Sequence, residues 1–195
     1  IERDVNELLL ALRTMSPGPS SEQTSRVEPA NLFEQNLQII QSRFSEPAPQ
    51  LKAAMSSLSS SAARVSKSKE GTPVIYFGDT SLDQVSKPKR AGEIWAERIV
   101  NGFSAKDVDH AVVCGFAGAY HLEALAERFS GELHIVEPKP EVCAAALSSR
   151  NLQGLLRDIS SLSFSVEDFK KTVLSHLDVE RTELVIYPQS RMVAP

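Results

Sequence analysis

One stretch of the sequence, residues 110–138, constrains the fold more than any other. An apolar run, Ala111-Val112-Val113-Cys114, leads into a small-residue turn, Gly115-Phe116-Ala117-Gly118-Ala119. An amphipathic segment, a second apolar run and Glu137 follow. This order of strand, glycine turn, helix, strand and acidic residue is typical of a nucleotide-binding βαβ unit, whose acidic residue lies about 20 residues beyond the turn. The stretch therefore predicts two parallel strands joined by a helix.

The turn also predicts where a ligand would lie. Glycine lets a ligand approach the free N–H groups at a helix start, and a carboxylate at the end of the second strand can accept hydrogen bonds from ribose hydroxyls. Positions 117 and 119 carry alanine where the G-x-G-x-G pattern has glycine, and alanine adopts positive φ less readily. The candidate cofactor-binding residues are Gly115, Ala117, Gly118, Tyr120, His121 and Glu137.

Three of these side chains have alternative interpretations. His121 follows the turn, where it could contact a phosphate, act as an acid–base group, or serve only as a hydrogen-bonded spacer. Tyr120 could stack on a base or cover the sheet. Glu137 is the strongest single candidate, for ribose recognition, against a solvated carboxylate at a strand end. The sequence assigns no catalytic residue.

Composition excludes several classes of partner. The 195 residues carry a net charge of −4, so no basic footprint indicates nucleic acid. No apolar run approaches the roughly 20 residues that cross a bilayer, and we expect a cytoplasmic protein with no membrane partner. Cys114 and Cys143 form no CxxC pair and are interpreted as core residues. His110, His134 and His176 lack metal-ligand spacing, so no metal site is expected.

Two regions are expected along the chain. Residues 1–71 read as a small helical region, with helices over Glu2–Met15, 31–44 and 50–58 separated by linkers rich in serine and proline. Residues 72–195 read as a Rossmann-like α/β domain, a parallel sheet with helices on both faces. Its sheet should contain residues 112–114, 133–136 and 184–187, with a weaker strand at 162–164. Val112, Val113, Ile135, Val136, Val185 and Ile186 should be largely buried.

Several segments together resemble the N-terminal half of the motility accessory factor family, flagellin glycosyltransferase-like proteins related to the 6-hydroxymethylpterin diphosphokinase group. The matching segments are Asn31–Leu37, Ile75–Leu82, Ser86–Glu93, Val113–Glu123, Val136–Glu141 and Tyr187–Pro188. The strongest match is Val113–Glu123, which faces a family pattern close to G-x-G-L-G-Y-H-L, and general dinucleotide folds do not share its Tyr-His pair. The chain departs from this pattern at Ala117 and Ala119.

The resemblance implies one domain of a glycosyltransferase-like protein. Such proteins would enter their central catalytic-type domain near Pro195, so the isolated chain is not expected to transfer sugar. The resemblance implies that this domain either docks flagellin or another acceptor protein or provides a nucleotide-like pocket. The ligand stays open between nucleotide types such as S-adenosylmethionine and a CMP-sugar. An S-adenosylmethionine-dependent methyltransferase and a ligand-free scaffold are the alternative interpretations.

Overall fold

A computed structural model describes residues 29–44, 46–103 and 107–192 of the chain. The predicted helix at Glu2–Met15 lies outside these residues. The helices are α1 (Pro29–Arg43), α2 (Pro47–Ser56), α3 (Pro88–Phe103), α4 (Tyr120–Ala126), α5 (Pro140–Ser149), α6 (Gln153–Asp158) and α7 (Val166–Thr172). The strands are β1 (Ala63–Lys67), β2 (Pro73–Phe77), β3 (Thr80–Ser81), β4 (His110–Cys114), β5 (Glu132–Val136), β6 (Ser161–Ser163) and β7 (Thr182–Ile186).

The predicted Rossmann-like α/β fold is confirmed by a four-stranded parallel sheet. Its strand order is β6-β5-β4-β7, and every neighbouring pair is parallel. Numbered from β4, this order is 3-2-1-4, which matches the first four strands of the doubly wound order 3-2-1-4-5-6. The turn after β4 therefore lies at the position where the strand order reverses, which is where ligands bind in open α/β sheets.

The serine-rich region after α2 differs from the predicted linker. Ala63–Lys67 forms β1 and pairs antiparallel with Pro73–Phe77, so a hairpin crosses the expected boundary at residues 71 and 72. With β3 these strands make a separate three-stranded sheet. The hairpin turn is held locally, because Ser68 Oγ accepts the N–H groups of Glu70 and Thr72 at 3.1 Å each. The turn residues 67–71 thus connect two paired strands, and the Ser68 side chain stabilises the tight turn between them.

Helix α5 is the centre of the larger hydrophobic core. Every residue from Val142 to Ser148 is buried, because α1 and α2 pack against α5 and strands β1 and β2 of the antiparallel sheet contact it as well. Small side chains at Ala144, Ala145 and Ala146 allow this double packing. The buried Asn36 connects α1 to α5, because its Nδ2 donates to Leu147 O at 2.8 Å.

The two faces of the parallel sheet are covered unequally. The face formed by Ala111, Val113 and Ile135 belongs to the larger core. The opposite face has a small cluster of Val112, Val136 and Phe169, and in the described part of the chain α7 and the turns after it pack against this cluster. Leu184 and Ile186 of β7 are 64% and 38% exposed there. The predicted burial of Ile186 is therefore wrong, and Val185 is only partly buried, because an apolar strand at a sheet edge has one neighbour fewer.

Helix packing positions the turn between β4 and α4. Gly92 of α3 lies so close to α4 that a Cβ there would stand 2.7 Å from the carbonyl carbon of Tyr120. Close packing of α3 fixes the start of α4 and the turn before it. Among the described residues, no helix combines the length and the apolar composition that crossing a membrane requires.

Candidate functional site

The structure brings all six predicted site residues to the carboxyl edge of the sheet. Gly115 to Ala119 form the turn between β4 and α4, Tyr120 and His121 begin α4, and Glu137 follows β5. Gly115 has φ +112°, and a Cβ there would stand 2.1 Å from Ser190 Oγ. A side chain at this position is therefore excluded by both conformation and space.

The alanines at 117 and 119 adopt the backbone that glycine would favour. Their φ values are 46° and 64°, both in the left-handed region. This conformation costs an L-residue roughly 1–2 kcal/mol, and burial of both methyl groups offsets part of that cost. The turn therefore keeps the backbone conformation of a glycine turn although positions 117 and 119 are alanine.

Glu137 uses both carboxylate oxygens inside the protein. Oε2 accepts the N–H of Phe116 at 2.8 Å and Oε1 accepts the N–H of Lys139 at 3.0 Å. The side chain is 5% exposed, and burial raises its pKa although the two backbone donors and Lys139 oppose that shift. In this structure Glu137 ties the end of β5 to the turn after β4.

A second carboxylate, which the sequence did not indicate, occupies the other side of the turn. Asp83 Oδ1 accepts the N–H of Gly118 at 3.0 Å, and its Oδ2 accepts the N–H of Ile75 at 2.8 Å. Burial raises the pKa of Asp83 to about 6. Asp83 follows β3 in a polar turn with no periodicity, so no sequence signal links it to Gly118.

These two carboxylates stand where an anionic ligand would bind. The N–H groups at the start of a helix are the donors that hold phosphate in nucleotide-binding turns. Here Phe116 and Gly118 donate to Glu137 and Asp83 instead. The cavity at this edge, which Gly115, Glu137 and Ser190 help to line, has a volume of about 60 Å³. Small-molecule sites usually have volumes of roughly 300–1,000 Å³.

His121 lies in an aromatic cluster beneath the turn. Its ring stacks on Tyr187 with centroids 3.6 Å apart, and Trp95 contacts it edge-on at 5.1 Å. Nε2 lies 3.0 Å from Gly115 O, and since a carbonyl only accepts, Nε2 donates and Nδ1 is unprotonated. Burial lowers the pKa of His121 to about 3, so the side chain is neutral at pH 7.

Tyr120 is also engaged within the protein. Its hydroxyl donates to Pro73 O at 2.7 Å, and the Arg150 guanidinium lies over its ring at 3.7 Å. Arg150 also donates to Gly118 O and pairs with Glu123 at 2.5 Å. Through these contacts Arg150, which directly follows α5, stabilises the packing of α4 and of the turn before it.

A larger cavity of about 350 Å³ lies beside Tyr120, between α3, α4 and α6. Its cationic lining groups are Lys89 and Arg150. Its acidic lining groups are Glu93, Glu123, Glu127 and Asp158. The acidic groups outnumber the cationic ones, and Arg150 is already paired with Glu123. This balance disfavours a phosphate in the cavity.

The histidines are arranged differently from the prediction. Register in the parallel sheet places His110 of β4 beside Glu132 of β5, with His134 two residues further along the same strand face. One ligand atom from each residue lies within 4.8 Å of the other two. The prediction that His110 and His134 lack metal-ligand spacing is therefore wrong, because spacing along the chain does not report the register between strands, whereas His176 lies outside this group.

Comparison with known proteins supports the fold. No family model and no curated protein matches the chain. Among solved structures, it is similar to the MAf glycosyltransferase from Magnetospirillum magneticum AMB-1, with a TM-score of 0.59 and 16% sequence identity. The likeness covers 84% of this chain and 34% of that chain. The chain thus shares its fold with about a third of that glycosyltransferase.

Proposed function

We propose that the chain is a Rossmann-like domain of a motility accessory factor-like glycosyltransferase and that it serves as a docking domain without catalytic activity of its own. Two independent features support the family: the fold likeness and the residues that resemble the family pattern, Tyr120-His121 above all. The domain corresponds to a third of the similar structure, so sugar transfer would belong to another part of such a protein.

One observation favours docking over nucleotide binding. The N–H groups of Phe116 and Gly118, which a phosphate would need, are hydrogen-bonded to Glu137 and Asp83. A nucleotide would have to displace two buried carboxylates, and leaving buried polar groups without partners costs roughly 1–3 kcal/mol each. S-adenosylmethionine carries no phosphate, but its ribose hydroxyls would need the Glu137 carboxylate, and both oxygens of Glu137 already accept backbone N–H groups, which weighs against the methyltransferase.

Calorimetric titration tests the nucleotide part of this proposal. The chain should give no saturable heat with S-adenosylmethionine, S-adenosylhomocysteine, CMP or NAD at millimolar concentration. It should also transfer no sugar from a nucleotide-activated donor to an acceptor protein. Saturable binding of any of these ligands, weakened by Gly118→Ala, would overturn the docking assignment and restore the turn as a ligand site.

The docking surface in this proposal is the apolar groove beside β7. Val112, Val136, Phe169, Leu174 and Leu184 help to line it, and its volume is about 270 Å³. β7 is an edge strand of the described sheet, and Leu184 is largely exposed. Exposed contiguous apolar surface of this kind marks interaction sites. An acceptor protein such as a flagellin is the partner we propose.

A binding assay with the cognate flagellin separates this partner from others. We expect Leu184→Lys to weaken binding at least 10-fold, because a charge in the groove would lose its hydration. Val65→Lys is the matched control, since Val65 is also an exposed apolar strand residue but lies in the other sheet. No measurable binding, or equal loss in both variants, would contradict the flagellin partner.

A further inference from the structure

We propose that His110, Glu132 and His134 form a binding site for a divalent transition metal, with zinc as the metal that fits best. The three residues lie at the amino edge of the parallel sheet, opposite the turn that holds Glu137. The site is therefore separate from the proposed docking role and does not depend on it.

The interatomic distances fit a metal better than direct hydrogen bonds. Glu132 Oε2 lies 3.4 Å from His110 Nδ1 and 3.5 Å from His134 Nε2. Good N–H···O hydrogen bonds measure about 2.7–3.2 Å. Zinc holds nitrogen and oxygen ligands at about 2.0–2.2 Å, so the ligands of a tetrahedral site are separated by about 3.3–3.6 Å. Two of the three ligand-to-ligand distances therefore match the edges of a tetrahedral zinc site, and all three ligand atoms lie within 4.8 Å of one another.

The two histidine nitrogens that face Glu132 are without hydrogen-bond partners. His110 Nδ1 and His134 Nε2 are both buried and unsatisfied in the described structure. The His134 side chain is 5% exposed. A buried ring nitrogen without a partner costs free energy, and coordination of a cation would satisfy both nitrogens at once.

A neighbouring strand already orients one ligand. His134 Nδ1 lies 3.0 Å from Ser161 Oγ of β6, the residue that pairs with His134 in the sheet. With its proton on Nδ1, His134 donates to the serine and leaves the Nε2 lone pair for the metal. Second hydrogen bonds of this kind fix the tautomer of metal-binding histidines.

Access and ligand number define the class of site. The Glu132 side chain is 59% exposed, so a metal can reach the cluster from solvent on that side. Three protein ligands leave a fourth tetrahedral position for water. Two nitrogens and one carboxylate suit zinc, whereas calcium and magnesium prefer oxygen ligands alone. The metal would join the first residue of β4 to two residues of β5 and stabilise this end of the sheet.

The test uses the 195-residue chain without an affinity tag. Titration with Zn²⁺ alone should show one equivalent bound. Free zinc 100-fold above Kd should raise the melting temperature by about 5–10 °C. Co²⁺ should give the intense visible absorption of a tetrahedral site. A near-ultraviolet thiolate band should be absent, because Cys114 lies at the opposite end of β4.

Variants assign the ligands. Glu132→Gln and His110→Gln should each weaken zinc binding at least 10-fold, and circular dichroism should show that both remain folded. His176→Gln and Glu127→Gln are the matched controls, since both side chains are exposed and lie outside the cluster, and they should bind zinc like the wild type. Absence of stoichiometric binding, retained affinity in both cluster variants, or a thiolate band would overturn the proposal.

Discussion

The imidazole of His121 lies flat on the phenol ring of Tyr187, with ring centroids 3.6 Å apart and planes inclined by 7°. His121 belongs to the start of α4 and Tyr187 directly follows β7, so this stack joins the turn after β4 to the last strand. Trp95 of α3 contacts both rings edge-on, at 5.1 Å and 5.5 Å. An aromatic cluster thus links α3, the start of α4 and the end of β7 at the carboxyl edge of the sheet.

Truncation of Tyr187 tests how much this aromatic cluster contributes to the free energy of unfolding. We expect Tyr187→Ala to lower the free energy of unfolding by about 3–5 kcal/mol, because it removes a buried aromatic ring and leaves a cavity. Tyr187→Phe keeps the ring and the stack, so it should cost less than about 1.5 kcal/mol. Urea denaturation measures both variants. Equal losses in the two would assign the stability to the hydroxyl instead.

Sequence patterns predicted the parallel strands and the convergence of the site residues, because both follow from local properties. Apolar runs bounded by turns indicate buried strands, and the carboxyl ends of parallel strands meet at one edge. Strands β4, β5 and β7 and the position of Glu137 therefore agree with the sequence-based prediction. The exposure of Ile186 could not be foreseen, since an apolar run does not reveal which face of an edge strand stays uncovered.

Contacts between segments that are distant along the chain could not be predicted from the sequence. Asp83 meets Gly118 across 35 residues, and His110 meets His134 only through the register of two strands. Neither pair has a spacing motif, because register and loop path are set by packing of the whole domain. The role of Glu137 was ambiguous for the same reason: its hydrogen bond to Phe116 depends on how tightly the turn closes.

Removal of the Glu137 carboxylate should destabilise the fold. Glu137→Ala leaves the N–H groups of Phe116 and Lys139 without their acceptor, so we expect a loss of about 2–4 kcal/mol in the free energy of unfolding. Glu127→Ala is the control, because that exposed residue should change stability by less than about 0.5 kcal/mol. If both variants unfold at the same urea concentration, Glu137 does not hold the turn.

The left-handed alanines make a glycine substitution unusually mild at one position. Ala119→Gly relieves the strain at φ 64° while losing a buried methyl group, and we expect a change within about 1 kcal/mol. Ala145→Gly, in the buried interior of α5, should cost about 1.5–2 kcal/mol from helix propensity and lost burial. Thermal and urea unfolding compare the two. Equal destabilisation would mean that residue 119 is not strained.

Acid should act on Asp83 and His121 in opposite directions. Burial raises the pKa of Asp83 to about 6, so the folded state binds its proton more tightly and this contribution to stability is lost as the pH rises from about 4 to 6. Burial lowers the pKa of His121 from 6.5 to about 3, so its contribution is present above pH 6.5 and is lost as the pH falls. Between pH 4 and 6 the two contributions oppose each other.

Replacement of Asp83 by asparagine should reveal the contribution of His121 to the pH dependence of stability. Asp83→Asn should be less stable than the wild type at neutral pH, where Asp83 is ionised, because asparagine offers one oxygen acceptor for the two N–H groups of Ile75 and Gly118. Its free energy of unfolding should also rise more steeply with pH than that of the wild type between pH 4.5 and 6, by up to about 1.4 kcal/mol per pH unit. Urea denaturation at several pH values measures the two slopes. Parallel curves for the variant and the wild type would show that Asp83 is already ionised in the folded protein at pH 4.5.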